Sequence, residues 1–224
     1  MNYIILLLES LLVCCMMILF YKQGKKRGLY LCVAIMASIL CVTSFKLVDI
    51  LGFQVNLGLP LVSGIFISSN IIVQKYGLDE VKKIIITFLM SSILVFLFIN
   101  LIGVISRSEY NLVSNLAYDN LFAYNLSNLR IFVGGILSTS LMLYYNSYIY
   151  YYIRRSKNRL LFSSIGSMLI IQFIESTIFI ILSYTFIYSS TELFGMIVIR
   201  YLIKVIVGLV GLLPVYVIVK MKDK

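Results

Sequence analysis

Three charged residues lie inside the last two apolar stretches of the chain. Glu175 belongs to QFIESTIFIILSY, residues 172–184, and Arg200 and Lys204 belong to the last apolar stretch. A carboxylate or a cation in hydrocarbon is costly unless it has a partner or a function. We therefore expect Glu175 to face other helices, and its candidate partners are Lys204, Arg200 and Arg130. Such a pair either fastens helices together or lines a polar cavity for a ligand, and the sequence leaves both interpretations open.

Four carboxamides follow similar helical patterns. Phe66, Asn70 and Gln74 recur at four-residue steps, and Gln172 precedes Glu175 by three residues, so each set lies on one helix face. Asn146 is in a mixed small and polar stripe of its own. Carboxamides both donate and accept hydrogen bonds, which suits a polar, uncharged, nucleobase-like ligand, although interhelical hydrogen bonding is the alternative. The candidate substrate-binding residues are Phe66, Asn70, Gln74, Arg130, Asn146, Gln172, Glu175 and Lys204.

The sequence lacks the residue combinations that most enzymes and metal sites require. The chain has no histidine, which excludes histidine-based triads and histidine metal ligands. Cys14, Cys15, Cys32 and Cys41 lie in apolar stretches without metal-ligand spacing and are expected to pack as small apolar residues. We therefore expect no enzymatic activity, no metal and no cofactor.

Composition shows which environment must hold these residues. The 224 residues are 61% hydrophobic and 12% charged, with a mean hydropathy of +1.02, so the polar surface is too small to cover a soluble globule. The formal charge of +10 does not indicate nucleic-acid binding, because the basic residues lie in short clusters between apolar stretches. The sequence predicts an all-α integral membrane protein.

The apolar stretches predict a bundle of about seven transmembrane helices. A span needs about 20 mostly apolar residues to cross the hydrocarbon core. The predicted spans are residues 3–20, 29–45, 59–74, 84–105, 129–152, 161–186 and 196–219, of which the third is the least hydrophobic.

The distribution of basic residues predicts the orientation. Positively charged loops stay in the cytoplasm. Most basic residues lie in the connections after spans one, three and five and in the C-terminal tail. The residues are Lys22, Lys25, Lys26, Arg27, Lys75, Lys82, Lys83, Arg154, Arg155, Lys157, Arg159, Lys220, Lys222 and Lys224. The alternate connections contain only Lys46 and Arg107. The N-terminus is therefore predicted outside the cell and the C-terminus in the cytoplasm.

Four segments, in order along the chain, carry a resemblance to a known family. FKLVDILGFQVNLGLPLVSGIFISSNIIVQKYG, residues 45–77, resembles the start of the queuosine precursor transporter family, also called the vitamin-uptake-transporter type. RIFVGG, from Arg130, looks like the arginine-led fifth span of that family, and QFIESTIF places Glu175 where members have aspartate. YLIKVIVGLVGLLPVY, residues 201–216, is similar to the closing helix, with Lys204 in place.

The resemblance implies a compact bundle similar in architecture to the substrate-binding components of energy-coupling-factor transporters. Such a protein carries a 7-deazaguanine precursor of queuosine, such as queuine, preQ1 or preQ0, across the bacterial plasma membrane. It implies a six-helix transporter core at residues 29–224, preceded at residues 1–28 by an additional transmembrane helix and a basic loop. The expected partners are a small-molecule substrate and the lipid bilayer, with no nucleic acid. Because no phosphate-cradling glycine loop is present, entry is facilitated, ion-coupled or energised by a separate partner.

Three positions depart from the family in one chemical direction. Asn70, Gln74 and Asn146 are amides where members have acids. A carboxylate accepts hydrogen bonds more strongly than a carboxamide, which also donates. We therefore expect a transporter scaffold with a shifted ligand choice or affinity, and a ligand site in the outer half of the bundle. The alternative is a non-transporting membrane binding or scaffold protein with a decayed or altered pocket.

Overall fold

A computed structural model describes residues 2–50, 52–105, 116, 118, 126–157 and 159–221. These residues form helices α1 (Asn2–Thr43), α2 (Leu59–Tyr76), α3 (Val81–Gly103), α4 (Leu126–Lys157), α5 (Leu160–Tyr184), α6 (Ser190–Val210) and α7 (Leu212–Lys220), a 3-10 helix (Leu78–Glu80), and strands β1 (Leu47–Ile50) and β2 (Phe53–Asn56). Arg107, Lys222 and Lys224, which contribute to the predicted orientation, lie outside the described residues.

Helix α1 consists of two antiparallel segments. Its backbone leaves the helical conformation at Lys25, where φ is 48° and ψ is −123°. Gly28 lies so close to the Phe20 carbonyl oxygen that a Cβ atom would overlap it, whereas residues eight apart in a continuous helix are separated by about 12 Å. Gly64 of α2 contacts both Val13 and Met36, one from each segment. The first two predicted spans therefore lie within α1, on either side of this turn.

Strands β1 and β2 form a hairpin that the sequence analysis does not include. They pair antiparallel, with Leu47 opposite Asn56 and Ile50 opposite Phe53. Gly52 in the connecting loop has φ 81°, a conformation that glycine adopts without steric cost. The amide of Leu57 also donates to the Lys46 carbonyl oxygen at 2.9 Å, which closes the base of the hairpin.

The hairpin defines one end of the bundle, called the hairpin end. Gly58, just after β2, lies against Leu40 and Thr43 near the C-terminus of α1. The ring of Phe53 packs on Gly195 in the first half of α6. The start of α6 is fixed by a capping box, in which Ser189 and Glu192 bind each other's backbone amides.

The opposite end, called the basic end, is held together by polar side chains. Glu80 forms ion pairs with Lys26 at 2.8 Å and Lys83 at 3.0 Å. Lys75, in the last turn of α2, donates to the carbonyl oxygen of Met221 at 2.6 Å. The turn of α1 and the C-terminus of α7 therefore both lie beside the α2–α3 connection.

Helix α2 lies at the centre, because every residue from 59 to 73 is buried. It contacts both segments of α1 and also α4, α6 and α7. Pro60 occupies the first turn, where its missing amide hydrogen costs nothing. This helix therefore places Ser63, Phe66 and Asn70 inside the bundle.

Polarity in the bundle is reversed relative to a soluble protein. The buried face of α5 includes the polar side chains Ser163, Ser164, Ser167, Gln172, Glu175, Ser176 and Ser183. Its exposed face consists of large apolar side chains, among them Leu161, Phe162, Leu169, Ile170, Phe173, Ile174, Ile181 and Leu182. Lipid is the solvent that favours this arrangement, because exposed apolar groups cost nothing there and polar groups must find partners inside.

Five helical stretches within the described residues are long and apolar enough to cross a membrane. They are Ile4–Thr43, Leu78–Gly103, Leu126–Ser156, Leu160–Tyr184 and Ser190–Lys220. Helix α2, which coincides with the third predicted span, is not among them, and its polar residues lower its hydropathy. The chain is thus a helical, multi-pass membrane protein. The count of seven spans and the orientation stay predictions.

Candidate functional site

Glu175 forms a buried ion cluster with two cations of α6. Its carboxylate is paired with the ammonium group of Lys204 and lies 3.4 Å from a terminal nitrogen of Arg200. The two cations are one helical turn apart, so both face α5. Glu175 and Lys204 are fully buried and Arg200 is 3% exposed. The predicted partnership of Glu175 with Lys204 or Arg200 is confirmed.

Two further side chains complete the surroundings of this cluster. The hydroxyl of Ser138, on α4, donates to Glu175 at 3.4 Å. The guanidinium of Arg200 lies over the ring of Phe179, 4.0 Å from its centroid, in cation–π geometry. Helices α4, α5 and α6 therefore meet at these charges, with two cations against one carboxylate.

A cavity opens at the hairpin end directly beside the cluster. It contains about 270 Å³ of empty space, counted to its open mouth. Its walls come from the end of α1, the end of β2, the start of α2, and α4, α5 and α6. The lining residues are Leu40, Ser44, Asn56, Leu57, Gly58, Leu59, Val62, Gly135, Thr139, Glu175, Phe179 and Arg200. We call this space the hairpin-end cavity. Its floor is charged and most of its wall is apolar.

Two buried atoms of the cavity lining have no hydrogen-bond partner among the described residues. They are Oδ1 of Asn56, an acceptor, and Nε of Arg200, a donor. The amide nitrogen of Asn56 is fully engaged, because it donates to the carbonyl oxygen of Ser44 at 2.7 Å and to the hydroxyl of Tyr184 at 2.6 Å. Buried polar atoms without partners cost free energy. Both atoms are closed off from solvent in the described conformation, so a ligand with a donor and an acceptor would satisfy them once the cavity widens.

Arg130, a predicted site residue, is placed away from the ion cluster. It donates to the carbonyl oxygen of Thr185 at 3.4 Å, near the C-terminus of α5. No hydrogen bond or ion pair joins it to Glu175 within the described part of the chain. Of the three candidate partners of Glu175, Arg130 is therefore the one that the fold leaves apart.

Asn70 and Asn146 form a separate cluster deeper in the bundle. The amide nitrogen of Asn146 donates to Oδ1 of Asn70 at 2.8 Å and to the hydroxyl of Ser69 at 3.0 Å. The amide nitrogen of Asn70 in turn lies 3.4 Å from the hydroxyls of Ser164 and Ser167. These side chains are at most 2% exposed and do not line the hairpin-end cavity.

The remaining predicted residues lie at other depths. Gln172 donates to Ser63 at 3.2 Å. At the basic end, Oε1 of Gln74 accepts from Tyr150 at 2.8 Å and from Arg154 at 3.0 Å. Phe66 packs in the main apolar core, and its carbonyl oxygen accepts from Asn146 at 3.4 Å. The predicted set therefore spreads along the bundle axis, and only Glu175 among its members lines the cavity.

Several cavity residues lie outside the site predicted from the sequence. They are Asn56, Ser44 and Thr139, and Arg200 was predicted only as a partner of Glu175. A signal for Asn56 was available, because FQVN alternates in polarity directly after a glycine, a pattern typical of a hairpin strand. Thr139 shares a helix stripe with Asn146, seven residues later, whereas no comparable signal marks Ser44.

The arrangement can bind a small molecule but offers few means of transforming one. Among the described residues, no group of three or more His, Cys, Asp or Glu could hold a metal ion. The cavity contributes one carboxylate, one guanidinium, an aromatic ring and polar neutral groups, which are groups that bind and orient a ligand.

Comparison with known proteins identifies a family and a relative. The model of a family described as "Putative vitamin uptake transporter" matches residues 56–219. The chain is also 26% identical to a "Probable queuosine precursor transporter" of Bacillus subtilis (strain 168). The alignment spans 216 residues and covers 91% of this chain and 89% of that protein. No solved structure matches the chain.

Proposed function

Because the chain belongs to the vitamin uptake transporter family, we propose that it imports a queuosine precursor or a similar nucleobase-like molecule, which first binds in the hairpin-end cavity. Membership of a transporter family implies a small-molecule substrate and a role other than catalysis. The relative in Bacillus subtilis bears the name of a queuosine precursor transporter, and we extend that substrate class to this chain.

The polar groups of the cavity complement a 7-deazaguanine edge. Such a ring system presents a ring N–H and an exocyclic amino group as donors beside a carbonyl oxygen as acceptor. The carboxylate of Glu175 and Oδ1 of Asn56 can accept from the donors, while Nε of Arg200 can donate to the carbonyl oxygen. The unpaired acceptor of Asn56 on β2 and the unpaired donor of Arg200 on α6 belong to two residues that line the same cavity, and this observation carries the proposal.

The cavity also offers apolar contact area beside its charged floor. The ring of Phe179 lines the cavity next to Glu175 and Arg200, and an aromatic side chain of this kind packs well against a flat heterocycle.

The membrane arrangement is part of the same proposal. The two segments of α1, then α2, α3, α4 and α5, with α6 and α7 as one unit, would make seven spans. The basic end would face the cytoplasm of a bacterial cell and the hairpin end the outside, which puts the cavity in the outer half of the plasma membrane. Residues 29–224 would form the transport core, with residues 1–28 as an additional helix and basic loop. This arrangement is compatible with facilitated entry, with ion coupling and with a separate energising partner.

Uptake in a bacterium that lacks queuosine synthesis and salvage transport tests the function. Cells receive queuine, preQ1 or preQ0, and queuosine in tRNA is the readout. We expect the wild-type protein to restore queuosine with at least one precursor, and Glu175→Gln and Asn56→Leu to reduce it strongly. Gln54→Leu is the matched control, because Gln54 is an exposed residue on the same strand and does not line the cavity.

The amount of each variant in the membrane must be measured beside its uptake. A wild-type protein that is folded and inserted, restores no queuosine and gains no thermal stability from any of the three precursors would contradict the proposal, since a bound ligand stabilises the folded state by mass action. That result would favour a non-transporting binding or scaffold protein.

A further inference from the structure

A line of buried polar side chains continues from the hairpin-end cavity toward the basic end. It lies between α2, α4 and α5 and has four successive layers. The layers are Glu175 with Ser138, then Gln172 with Ser63, then Asn70 with Asn146, Ser69, Ser164 and Ser167, and finally Gln74 with Tyr150 and Arg154. We call this line the polar seam.

The length of the polar seam follows from helix geometry. Helix α4 supplies Ser138 to the first layer and Tyr150 to the last. These residues are twelve apart, so the helix advances about 18 Å between them at 1.5 Å per residue. This is more than half of a hydrocarbon core about 30 Å thick. The polar seam therefore extends over a large part of the membrane-embedded interior.

Two acceptor atoms inside the polar seam have no partner among the described residues. They are Oε1 of Gln172 and Oδ1 of Asn146, and both side chains are fully buried. Helix packing alone would be better served by apolar side chains, because an unsatisfied buried polar atom costs free energy that packing does not return. These atoms are placed to accept hydrogen bonds from something that enters the seam.

We propose that the polar seam is the path along which the ligand crosses the bundle, and that Gln172 and Asn146 form an inner subsite for ligand N–H donors. The nature of the ligand, a nucleobase-like heterocycle, rests on the proposed function, whereas the existence of the path does not. Asn70, Gln74, Asn146 and Gln172 are then transit residues, and the hairpin-end cavity is the entry site.

The basic end closes this path. Gln74 accepts from both Tyr150 and Arg154, and Lys75, the next residue, is bonded to the C-terminus of α7. Release of a ligand at this end requires the bonds of Gln74 to break. The described conformation is thus open at the hairpin end and closed at the basic end.

Cysteine modification tests the path without any knowledge of the ligand. In protein with Cys14 and Cys41 replaced by serine and Cys15 and Cys32 by alanine, Ser167→Cys places one thiol in the polar seam. A second protein retains Cys32 alone, which is fully buried in the apolar core and is the matched control. Both are treated in membranes with methyl methanethiosulfonate, a small neutral reagent, and modification is followed by mass spectrometry.

The reagent reacts with thiolate, which requires water at the thiol. If the polar seam opens and hydrates, Ser167→Cys is modified at least about tenfold faster than Cys32. Equal rates would overturn the proposed path, whatever the ligand is.

Transport and binding measured together test the inner subsite. Asn146→Leu removes the seam amide, and Ser147→Ala is its control, because the hydroxyl of Ser147 is buried on the same helix but bonds within its own turn, to the carbonyl oxygen of Leu143. We expect Asn146→Leu to bind precursor with an affinity within about twofold of wild type and to lower the uptake rate at least about tenfold, a change equivalent to one or two hydrogen bonds. Ser147→Ala should leave both quantities unchanged.

The remaining outcomes separate the two proposals. Equal losses of affinity and uptake in Asn146→Leu would mean that the amides belong to the entry site, and unchanged uptake would remove Asn146 from the path. Either result overturns the inner subsite. If wild-type protein neither binds nor imports a precursor, the proposed function fails, and the cysteine rates still decide whether the path exists.

Discussion

At the scale of single residues, the cluster around Glu175 is unbalanced in charge. Lys204 and Arg200 are buried against one carboxylate. Burying ions is costly, and the removal of one partner leaves the other charge uncompensated. Substitution of Glu175 should therefore cost more stability than substitution of one cation. Without Glu175 both cations are left unpaired, whereas without one cation the carboxylate is still paired with the other.

The first prediction concerns this asymmetry. Glu175→Gln should destabilise the protein by about 3–5 kcal/mol, the usual cost of an uncompensated buried charge, whereas Lys204→Met should cost much less because Arg200 still pairs with Glu175. For a chain of this size, the former corresponds to a fall in melting temperature of about 6–20 °C. Circular dichroism during heating in detergent measures both variants.

The double variant Glu175→Gln with Lys204→Met is the control for this prediction. It leaves one buried cation instead of two, so it should melt above Glu175→Gln alone while still lacking the carboxylate that accepts from the ligand. If Lys204→Met proved as destabilising as Glu175→Gln, the charge balance described for the cluster would be wrong.

The second prediction concerns ligand charge. PreQ0 carries a neutral nitrile and preQ1 a cationic aminomethyl group, on the same ring system. The cavity floor contains one guanidinium and one carboxylate, and the ammonium group of Lys204 is buried behind them against the same carboxylate. The net positive charge of this cluster repels a cation in a medium of low dielectric constant. We expect preQ0 to compete for binding or uptake at least about tenfold better than preQ1, and preQ1 as the better competitor would contradict this reading of the site.

At the scale of secondary-structure elements, the two segments of α1 depend on one close backbone approach. Gly28 lies against the carbonyl oxygen of Phe20, and a Cβ atom at this position would overlap that oxygen. Gly24, four residues earlier, has open space around its Cα atom. The two glycines thus differ in their steric surroundings, although both belong to the same turn region.

The third prediction uses this pair. Gly28→Ala should destabilise the protein by about 1–3 kcal/mol or more, because backbone cannot move aside as a side chain can. Gly24→Ala should be neutral or slightly stabilising, since alanine favours helix by about 1 kcal/mol over glycine. Melting temperatures of the two variants in detergent decide the point, and equal effects would show that the turn of α1 does not require this approach.

At the scale of the whole molecule, the two ends of the bundle differ in construction. The hairpin end has the cavity, while the basic end is tied by Glu80, Lys75 and Gln74 to three separate parts of the chain, namely the turn of α1, the C-terminus of α7 and α4. A carrier that binds on one side and releases on the other needs such a difference, and which end faces the cytoplasm fixes the direction of transport.

The fourth prediction tests the orientation. In a cysteine-free background, Ser190→Cys places an exposed thiol at the hairpin end and Lys82→Cys places one at the basic end. A membrane-impermeant maleimide added to intact cells should label Ser190→Cys and spare Lys82→Cys, which becomes reactive after the cells are broken. The reverse pattern would invert the proposed direction and put the cavity on the cytoplasmic side.

Much of the fold follows from the sequence because the bilayer imposes simple rules. A lipid solvent requires long apolar helices with satisfied backbones, so the helix positions can be predicted from hydropathy, as α5 (Leu160–Tyr184) illustrates against its predicted span at residues 161–186. The β-hairpin was missed because its two four-residue strands are too short to stand out beside such stretches. The sharp turn in α1 was expected only as a loop.

The charged pair at the site could also be predicted from the sequence, whereas the separation of the polar residues into clusters at different depths could not. An ionisable residue in a span must find a partner of opposite charge, and this rule reduced the candidate partners of Glu175 to Arg130, Arg200 and Lys204. The fold then joins Glu175 to the two cations of α6. The carboxamides carry no net charge, so helical spacing shows that they face inward without showing which of them meet. Their depths, and the cavity that only Glu175 among the predicted residues lines, depend on how the helices are staggered.

The sequence by itself determined the membrane environment, the positions of the helices, the inward-facing polar residues and the need of Glu175 for a cationic partner, because each of these follows from the cost of exposing polar groups to hydrocarbon. Only the tertiary structure decided that Arg130 lies apart, that Asn56 joins Arg200 at the cavity and that the amides form a separate seam. Those outcomes depend on contacts between residues far apart in the chain, and the relative shifts of packed helices that create such contacts leave no periodic signal in any one segment.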